Sequence, residues 1–249
     1  MTVQPVWEES TSVRIFEVDF QWRWKPAAFF QAMQQASSHH AQNMGFEFQD
    51  LLNRQMTWVM ARARIIFHRF PESDEPVTIR TWPKGIRDKI LFLRDYQLFD
   101  QHQQPLASAT TVYLLIHLQS HRILSPSLLI HDLPLNEDLH AIQEIPQKIA
   151  PPDEMQEKYT LTAGYSDLDI LGHVNNARYI EWIADAFPMQ QYQQQQIHWL
   201  QINFLHEVRE GNQLTISTHP SEPDLWYIQG WNQTQNEKSF DSVLQWVKE

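Results

Sequence analysis

Three short strings recur at one spacing along this 249-residue chain. Ile65-Ile66-Phe67 corresponds to Ile202-Asn203-Phe204, Val77-Thr78-Ile79 to Leu214-Thr215-Ile216, and Thr81-Trp82-Pro83 to Thr218-His219-Pro220. All three pairs lie about 137 positions apart, a period too long for a solenoid and suited to a duplicated supersecondary unit. The order of elements repeats with them. In the first half, residues 12–20 read as a strand, with Val13, Ile15 and Val18 set among polar residues. Pro26 then fits the first position of a helix, and Phe29, Met33, Ala36 and His40 form its apolar stripe as far as a stop at Gly45. Strands follow at 57–67, 77–82, 90–99 and 106–118, with 100–105 as a hairpin connection. The second half repeats this as a strand at 158–165, a helix at 174–187 and strands at 197–205, 213–219, 225–231 and 239–247.

One helix followed by a run of antiparallel strands is α+β rather than an alternating parallel fold. The expected organisation is an N-terminal unit over 1–118, a proline-rich linker over 119–157 and a C-terminal unit over 158–249. The Gln- and Tyr-biased stretch 190–196 is expected to be an exposed loop.

Composition removes several function classes. The chain has no cysteine, hence no disulfide, thiolate metal site or Cys nucleophile. A net charge of −11 opposes binding to nucleic acid or to an anionic membrane. Six glycines with no G-x-G-x-x-G, P-loop or G-x-S-x-G leave nucleotide cradles and serine elbows unsupported. No apolar run reaches the length of a membrane span, and the polar, acidic start is unlike a secretory signal, so a cytoplasmic location is expected. His39 and His40 share the first helix with no accompanying ligand cluster, so no metal site and no cofactor is expected.

The chemistry concentrates in residues 165–182, where a polar, turn-forming segment runs into the second helix. Asp169, Gly172 and His173 are crowded at that junction, where helix N–H groups lack partners and the dipole favours negative charge. A carboxylate, an imidazole and amide donors are what acyl transfer requires.

The string Asp169-x-x-Gly172-His173-Val174-Asn175-Asn176-x-x-Tyr179 resembles the signature of hotdog thioesterases, and the helix-plus-sheet unit occurring twice resembles the double hotdog fold. The nearest resemblance is to the acyl-acyl-carrier-protein (acyl-ACP) thioesterases, which end fatty acid synthesis. Residues 57–62, Trp82-Pro83-Lys84-Gly85, Arg94-Asp95-Tyr96 and Leu205-His206-Glu207 also match. The resemblance implies hydrolysis of acyl-ACP to free fatty acid, with the second hotdog catalytic and the first setting chain length. Carried over by position, the catalytic Asp is Asp169, the His is His173 and the Glu is Glu207. Leu171 stands where the family has an Asn, and Val208 where some members have a Cys.

On this reading Glu207 or Asp169 activates water and His173 orients the water or the carboxylate. Amides near Gly172 would polarise the carbonyl, worth roughly 3 kcal/mol per donor. Asn175 and Asn176 belong to the same substrate-side loop. Phe29, Phe30, Met33, Met44, Phe46, Trp58 and Met60 are candidates for an acyl tunnel, while Gln21 and Lys25 fall near the first-half counterparts of Asp169 and His173. Lys84, Arg87, Lys89 and Arg94, with Arg62, Arg64 and Arg69 nearby, form the expected docking patch for the acidic carrier protein. An acyl-CoA thioesterase and a non-catalytic acyl-binding or sensor protein are the alternatives, as a monomer or a homodimer.

Overall fold

The repeated order is present in the computed structural model, which describes residues 2–125, 128–129 and 133–248. The chain divides into two compact units, Met1–Pro146 and Gln147–Glu249. Unit 1 holds β1 (Trp7–Ser12), α1 (Pro26–Asn43), α2 (Phe48–Asn53), β2 (Met56–Phe67), β3 (Pro76–Arg87), β4 (Leu91–Phe99) and β5 (Pro105–His117). Unit 2 holds β6 (Gln156–Thr162), α3 (Asn176–Asp185), α4 (Met189–Gln194), β7 (Gln195–Phe204), β8 (Gln213–Glu222), β9 (Leu225–Asn232) and β10 (Glu237–Lys248). The strand order is β1-β3-β4-β5-β2 in unit 1 and β6-β8-β9-β10-β7 in unit 2, antiparallel throughout.

The two sheets keep matching registers. Glu9 pairs with Ile79 on the β1–β3 edge, as Tyr159 pairs with Ile216 on the β6–β8 edge. Helix residues match too: Phe29 of α1 meets Phe67 edge-on at 5.1 Å, and Tyr179 of α3 meets Phe204 edge-on at 5.4 Å. The strands therefore correspond at about 137 positions, and the first strands and helices at about 150. The surplus of about 13 residues in unit 1 lies between Pro26 and Phe67, mostly in α1, which has 18 residues against 10 in α3, and otherwise in the segment leading into β2. Those extra turns carry their own apolar cluster of Met44, Phe46, Leu51, Met56, Phe92 and Leu115, against which Trp58 packs.

Local chemistry explains the boundaries. Pro26 opens α1 and Gly45, at φ +79°, closes it, with the Phe46 amide reaching back to Ala41 O at 2.8 Å. In β2, the inward side chains Ala63, Ile65 and Phe67 are fully or nearly buried at period two. Three expectations are corrected. The first strand is Trp7–Ser12 rather than 12–20, because its pairing with β3 ends at Ser12–Pro76 and Ile15–Glu17 coils into a 3₁₀ turn. Residues 190–196 are not a loop but α4 and the start of β7. Tyr192 anchors that helix, donating to Ala184 O at 2.8 Å and packing edge-on against Trp246. The short helix α2 has no counterpart in the expected pattern.

The boundary at Pro146 falls inside the expected linker, of which residues 126, 127 and 130–132 lie outside the described residues. Its described portion before the boundary is fastened to unit 1: Trp82 Nε1 donates to Leu139 O at 3.1 Å and Arg62 Nη1 to Pro146 O at 3.0 Å. Among the described residues no helix is long and apolar enough to cross a membrane.

His40 is fully buried on α1, stacked on Trp7. Its Nε2 donates to Gln4 O at 2.8 Å and its Nδ1 accepts from Arg94 at 3.0 Å, an arrangement that requires a neutral ring. Burial, and then the charge of Arg94, hold its pKa down at about 4, from 6.5. Between those values the unfolded chain binds a proton that the folded chain does not, so stability present above about pH 6.5 is lost as pH falls towards 4. This contribution amounts to about 3 kcal/mol. Urea midpoints measured at pH 7 and pH 4.5 are expected to differ less in His40→Gln, which cannot titrate, than in the parent protein.

Candidate active site

The loop before α3 is built by one carboxylate. Asp169 Oδ1 accepts from the amides of Leu171 at 2.9 Å and His173 at 3.3 Å. The Asp169 amide donates to His173 O at 2.7 Å, and the Gly172 amide to Asp169 O at 3.0 Å. Gly172 sits at φ +75°, a left-handed conformation that glycine adopts without the clash a side chain would bring. Asn175 caps α3, its Oδ1 accepting from the Ala177 amide at 2.9 Å, and Asn176 is the first helical residue. Asp167, buried beneath the loop, accepts from Arg178 Nε at 2.8 Å and from the Gly164 amide at 2.8 Å, so it is a structural anchor.

The Val174 amide donates to Val208 O at 2.9 Å, and this bond brings the loop beside the segment after β7. His173 Nε2 consequently lies 3.0 Å from Glu207 Oε2, with both side chains partly open to solvent. Arg209 reaches the same carboxylate oxygen at 3.2 Å. His173 and Glu207, separated widely in sequence, are thus within ion-pair distance. Tyr179 is a residue whose role went unread. Its hydroxyl is held by the Val208 backbone and lies in the field of both Glu207 and Asp169, and burial pushes its pKa well above the usual tyrosine value. Tyr179 closes the signature string, which was the available signal.

Unit 1 contains the same loop without this pair. Asp19 Oδ1 accepts from the amides of Gln21 at 2.8 Å and Arg23 at 3.0 Å, the Asp19 amide donates to Arg23 O, and Trp24 N donates to Pro71 O. Asp19 is therefore the counterpart of Asp169, and Arg23 that of His173. This corrects the expected register at Gln21 and Lys25 by two positions, to Asp19 and Arg23. Phe70 stands where unit 2 has Glu207. The turn-building carboxylate is common to both units, whereas the imidazole–carboxylate contact belongs to unit 2. The second oxygen of Asp19 faces Arg23 Nε at 3.4 Å; among the described residues Asp169 forms no ion pair.

Two further expectations meet the geometry differently. The amides of Leu171, Gly172 and His173 all donate within the loop, so they are not available to a substrate carbonyl. The docking patch is largely dissolved. Lys84 is 3% exposed and ion-paired with Asp95 at 3.1 Å, while Arg94 is turned inward to His40 and Thr81. Arg69 pairs with Glu75 and Asp100. Arg87 and Lys89 remain exposed at the β3–β4 turn. Of the tunnel candidates, Phe29, Phe30, Met33, Met44, Phe46 and Met60 are buried. Phe29 packs tilted against Trp24 and edge-on against Phe67 and Phe70, whereas Met44, Phe46 and Trp58 belong to the α2 cluster.

The sequence profile of the acyl-ACP thioesterase N-terminal domain matches residues 4–126, and that of the acyl-ACP thioesterase C-terminal domain matches residues 150–248. Among relatives, an acyl-[acyl-carrier-protein] hydrolase of Cuphea viscosissima is 22% identical over 84% of this chain and 54% of its own length. Oleoyl-acyl carrier protein thioesterase 2 of Arabidopsis thaliana is 24% identical over 87% of this chain and 64% of its own. The chain spans only 54% and 64% of the length of these two chloroplastic relatives. An acyl-ACP thioesterase from Bacteroides thetaiotaomicron superimposes with a TM-score of 0.84 at 24% identity, covering 98% of each chain. The 12:0-ACP thioesterase from Umbellularia californica gives 0.84 at 19% identity, over 99% of this chain and 98% of its own. The fold is the double hotdog, and with both domain profiles matched over nearly its whole length the chain belongs to the acyl-ACP thioesterase family.

Proposed function

We propose that the chain hydrolyses the thioester of acyl-ACP, releasing free fatty acid and so ending fatty acid synthesis. The observation that carries this reading is the 3.0 Å contact between His173 and Glu207 beside the Asp169 loop, in a chain of this family. Glu207 takes a proton from water as the oxygen adds to the carbonyl carbon. The carbon–sulfur bond then breaks, and the proton passes through His173 to the departing carrier thiolate. A thiol with a pKa of about 8.5 is a good leaving group, so the acid assistance required is small. Asp169, which forms no ion pair among the described residues, sets its carboxylate in the loop that carries His173. Helix geometry leaves the Asn176 N–H at the start of α3 without an intrahelical acceptor, and that amide is our choice of donor to the carbonyl oxygen. We assign acyl-chain reading to unit 1, where the α2 cluster offers adaptable methionines at Met44 and Met56.

The test is release of free fatty acid from matched acyl-ACP and acyl-CoA series of medium to long chain length. Rapid release from the carrier-bound series, with an optimum length, is the expected result. Release from CoA alone would reassign the substrate, and tight acyl binding without turnover would make the protein a binder, with Leu171 in the Asn position as the cause.

A further inference from the structure

Unit 1 carries a hollow of about 180 Å³ beside α1, between that helix and the β1–β3 edge. It exists because of substitutions between the two units. The counterparts of its wall residues Ala28 and Ala32 are Arg178 and Trp182, and the counterpart of Glu9 is Tyr159. In unit 2 larger side chains stand at those positions, and Trp182 is nearly buried. Arg178 sets its guanidinium on Asp167, with Nε and Nη2 at 2.8 and 2.7 Å from Oδ1, and also pairs with Glu181. The Tyr159 hydroxyl donates to Trp182 O at 2.6 Å. In unit 1 the equivalent carboxylate, Glu17, and the equivalent of Glu181, Gln31, are both still in place around the hollow. What is missing is the cation between them.

Glu17 keeps its place without that cation. Its Oε2 accepts from Trp24 Nε1 at 3.2 Å and from the Arg14 amide at 3.1 Å. Among the described residues its Oε1 has one loose ionic neighbour, Arg14 Nη1 at 3.9 Å, and the Arg14 side chain is 63% exposed. The second carboxylate in the wall, Glu9, is engaged by Trp7 Nε1 and His39 Nδ1, each at 2.7 Å. Gln31 and Gln35 add amide oxygens, and the nearly buried Trp24 supplies an apolar wall.

We infer that this hollow is a binding site for a small guanidinium-bearing molecule, whose cation lies on Glu17 Oε1 where unit 2 places Arg178 on Asp167. A guanidinium matches a carboxylate through two parallel N–H bonds, and the room left by the Trp182 counterpart admits a flat stem beside it. Arg14 at the rim is the competing cation, loosely held and free to swing out.

Calorimetric titration of the full chain with phenylguanidine tests the site, with phenylurea as the neutral isostere. Phenylguanidine is expected to bind at least about tenfold more tightly than phenylurea. Glu17→Gln keeps an oxygen for Trp24 and for the Arg14 amide but loses the charge, and should weaken phenylguanidine by about tenfold or more. Ala28→Arg rebuilds the unit 2 arrangement and should abolish binding, and Ala32→Trp should do the same if the Arg variant fails to fold. Arg14→Ala should tighten binding by removing the competitor. Equal affinity for the two probes, no measurable binding, or binding that survives in a folded Ala28→Arg or Ala32→Trp protein would overturn the site.

Discussion

Glu207→Gln and His173→Asn are each expected to lower kcat on a carrier-bound thioester by at least about a hundredfold, with KM changed only a few-fold. The two groups share one contact, so the double variant should be scarcely worse than either single one, as for residues acting as a unit. Asp169→Asn is the more searching substitution. The carboxamide oxygen can still accept from the Leu171 and His173 amides, so the turn survives and only the charge is lost. A loss of about a hundredfold or more is expected, since Asp169 lacks the cation that Arg23 gives Asp19 in unit 1. Activity within a few-fold of the parent would reduce Asp169 to the turn-building part that Asp19 plays. Circular dichroism and unfolding midpoints of the three variants should match the parent, because each substitution preserves shape at a partly exposed position.

The features read well from sequence were those that depend on local order. Hydrophobic period two marked nearly every strand, Pro26 and Gly45 bracketed α1, and the common spacing of three strings exposed the duplication. The candidate site was legible where it lay within one string, from Asp169 to Asn176, and its partner Glu207 through resemblance alone. Two kinds of information were not legible. The first is register across an insertion: the longer α1 and the segment after it shift the loops by about 13 positions relative to the strands. The strand spacing leads from Asp169 to Ala32, and Gln21 lies two positions off; the twin, Asp19, shows itself only through the amides its carboxylate accepts. The second is burial of charge. Lys84, Arg87, Lys89 and Arg94 are close in sequence, yet β3 and β4 turn alternate side chains to opposite faces. Arg94 accordingly turns to His40 on one face, and its β4 neighbour Asp95 meets Lys84 on the other, so both cations are engaged, whereas Arg87 and Lys89, at and beyond the end of β3, reach solvent. The amides at Gly172 are unavailable for a related reason: Asp169, three residues upstream, takes the loop's donors with its carboxylate and its backbone carbonyl.

Lys84→Met is expected to destabilise the protein by about 3–5 kcal/mol, the usual cost of removing one partner from a buried ion pair. Lys84 and Asp95 are 3% and 0% exposed, and their contact is 3.1 Å. Asp95 is otherwise well satisfied: Oδ1 accepts from the Thr110 hydroxyl at 2.7 Å and Oδ2 from the Ala141 amide at 2.7 Å. Burial nevertheless pushes its pKa up against those bonds and against Lys84, so the carboxylate depends on its counter-charge. Lys84 also donates to Ile142 O, which makes the pair a clasp holding the segment around 139–142 onto β3 and β4, beside the Trp82–Leu139 bond. Removal of the ammonium should thus do two measurable things. The unfolding midpoint should fall by roughly 10 °C, and amide exchange at Ala141 and cleavage of the 139–146 stretch should accelerate in the folded protein. Lys84→Met combined with Asp95→Leu should recover most of the midpoint, because an apolar pair leaves no buried charge without a partner, but not the protection at Ala141, whose acceptor is gone. If the single variant matches the parent in both readouts, the pair is not what fastens the segment. The same burial bars Lys84→Glu as a probe of carrier docking: lost activity in that variant would report unfolding, and charge reversal belongs at Arg87 and Lys89.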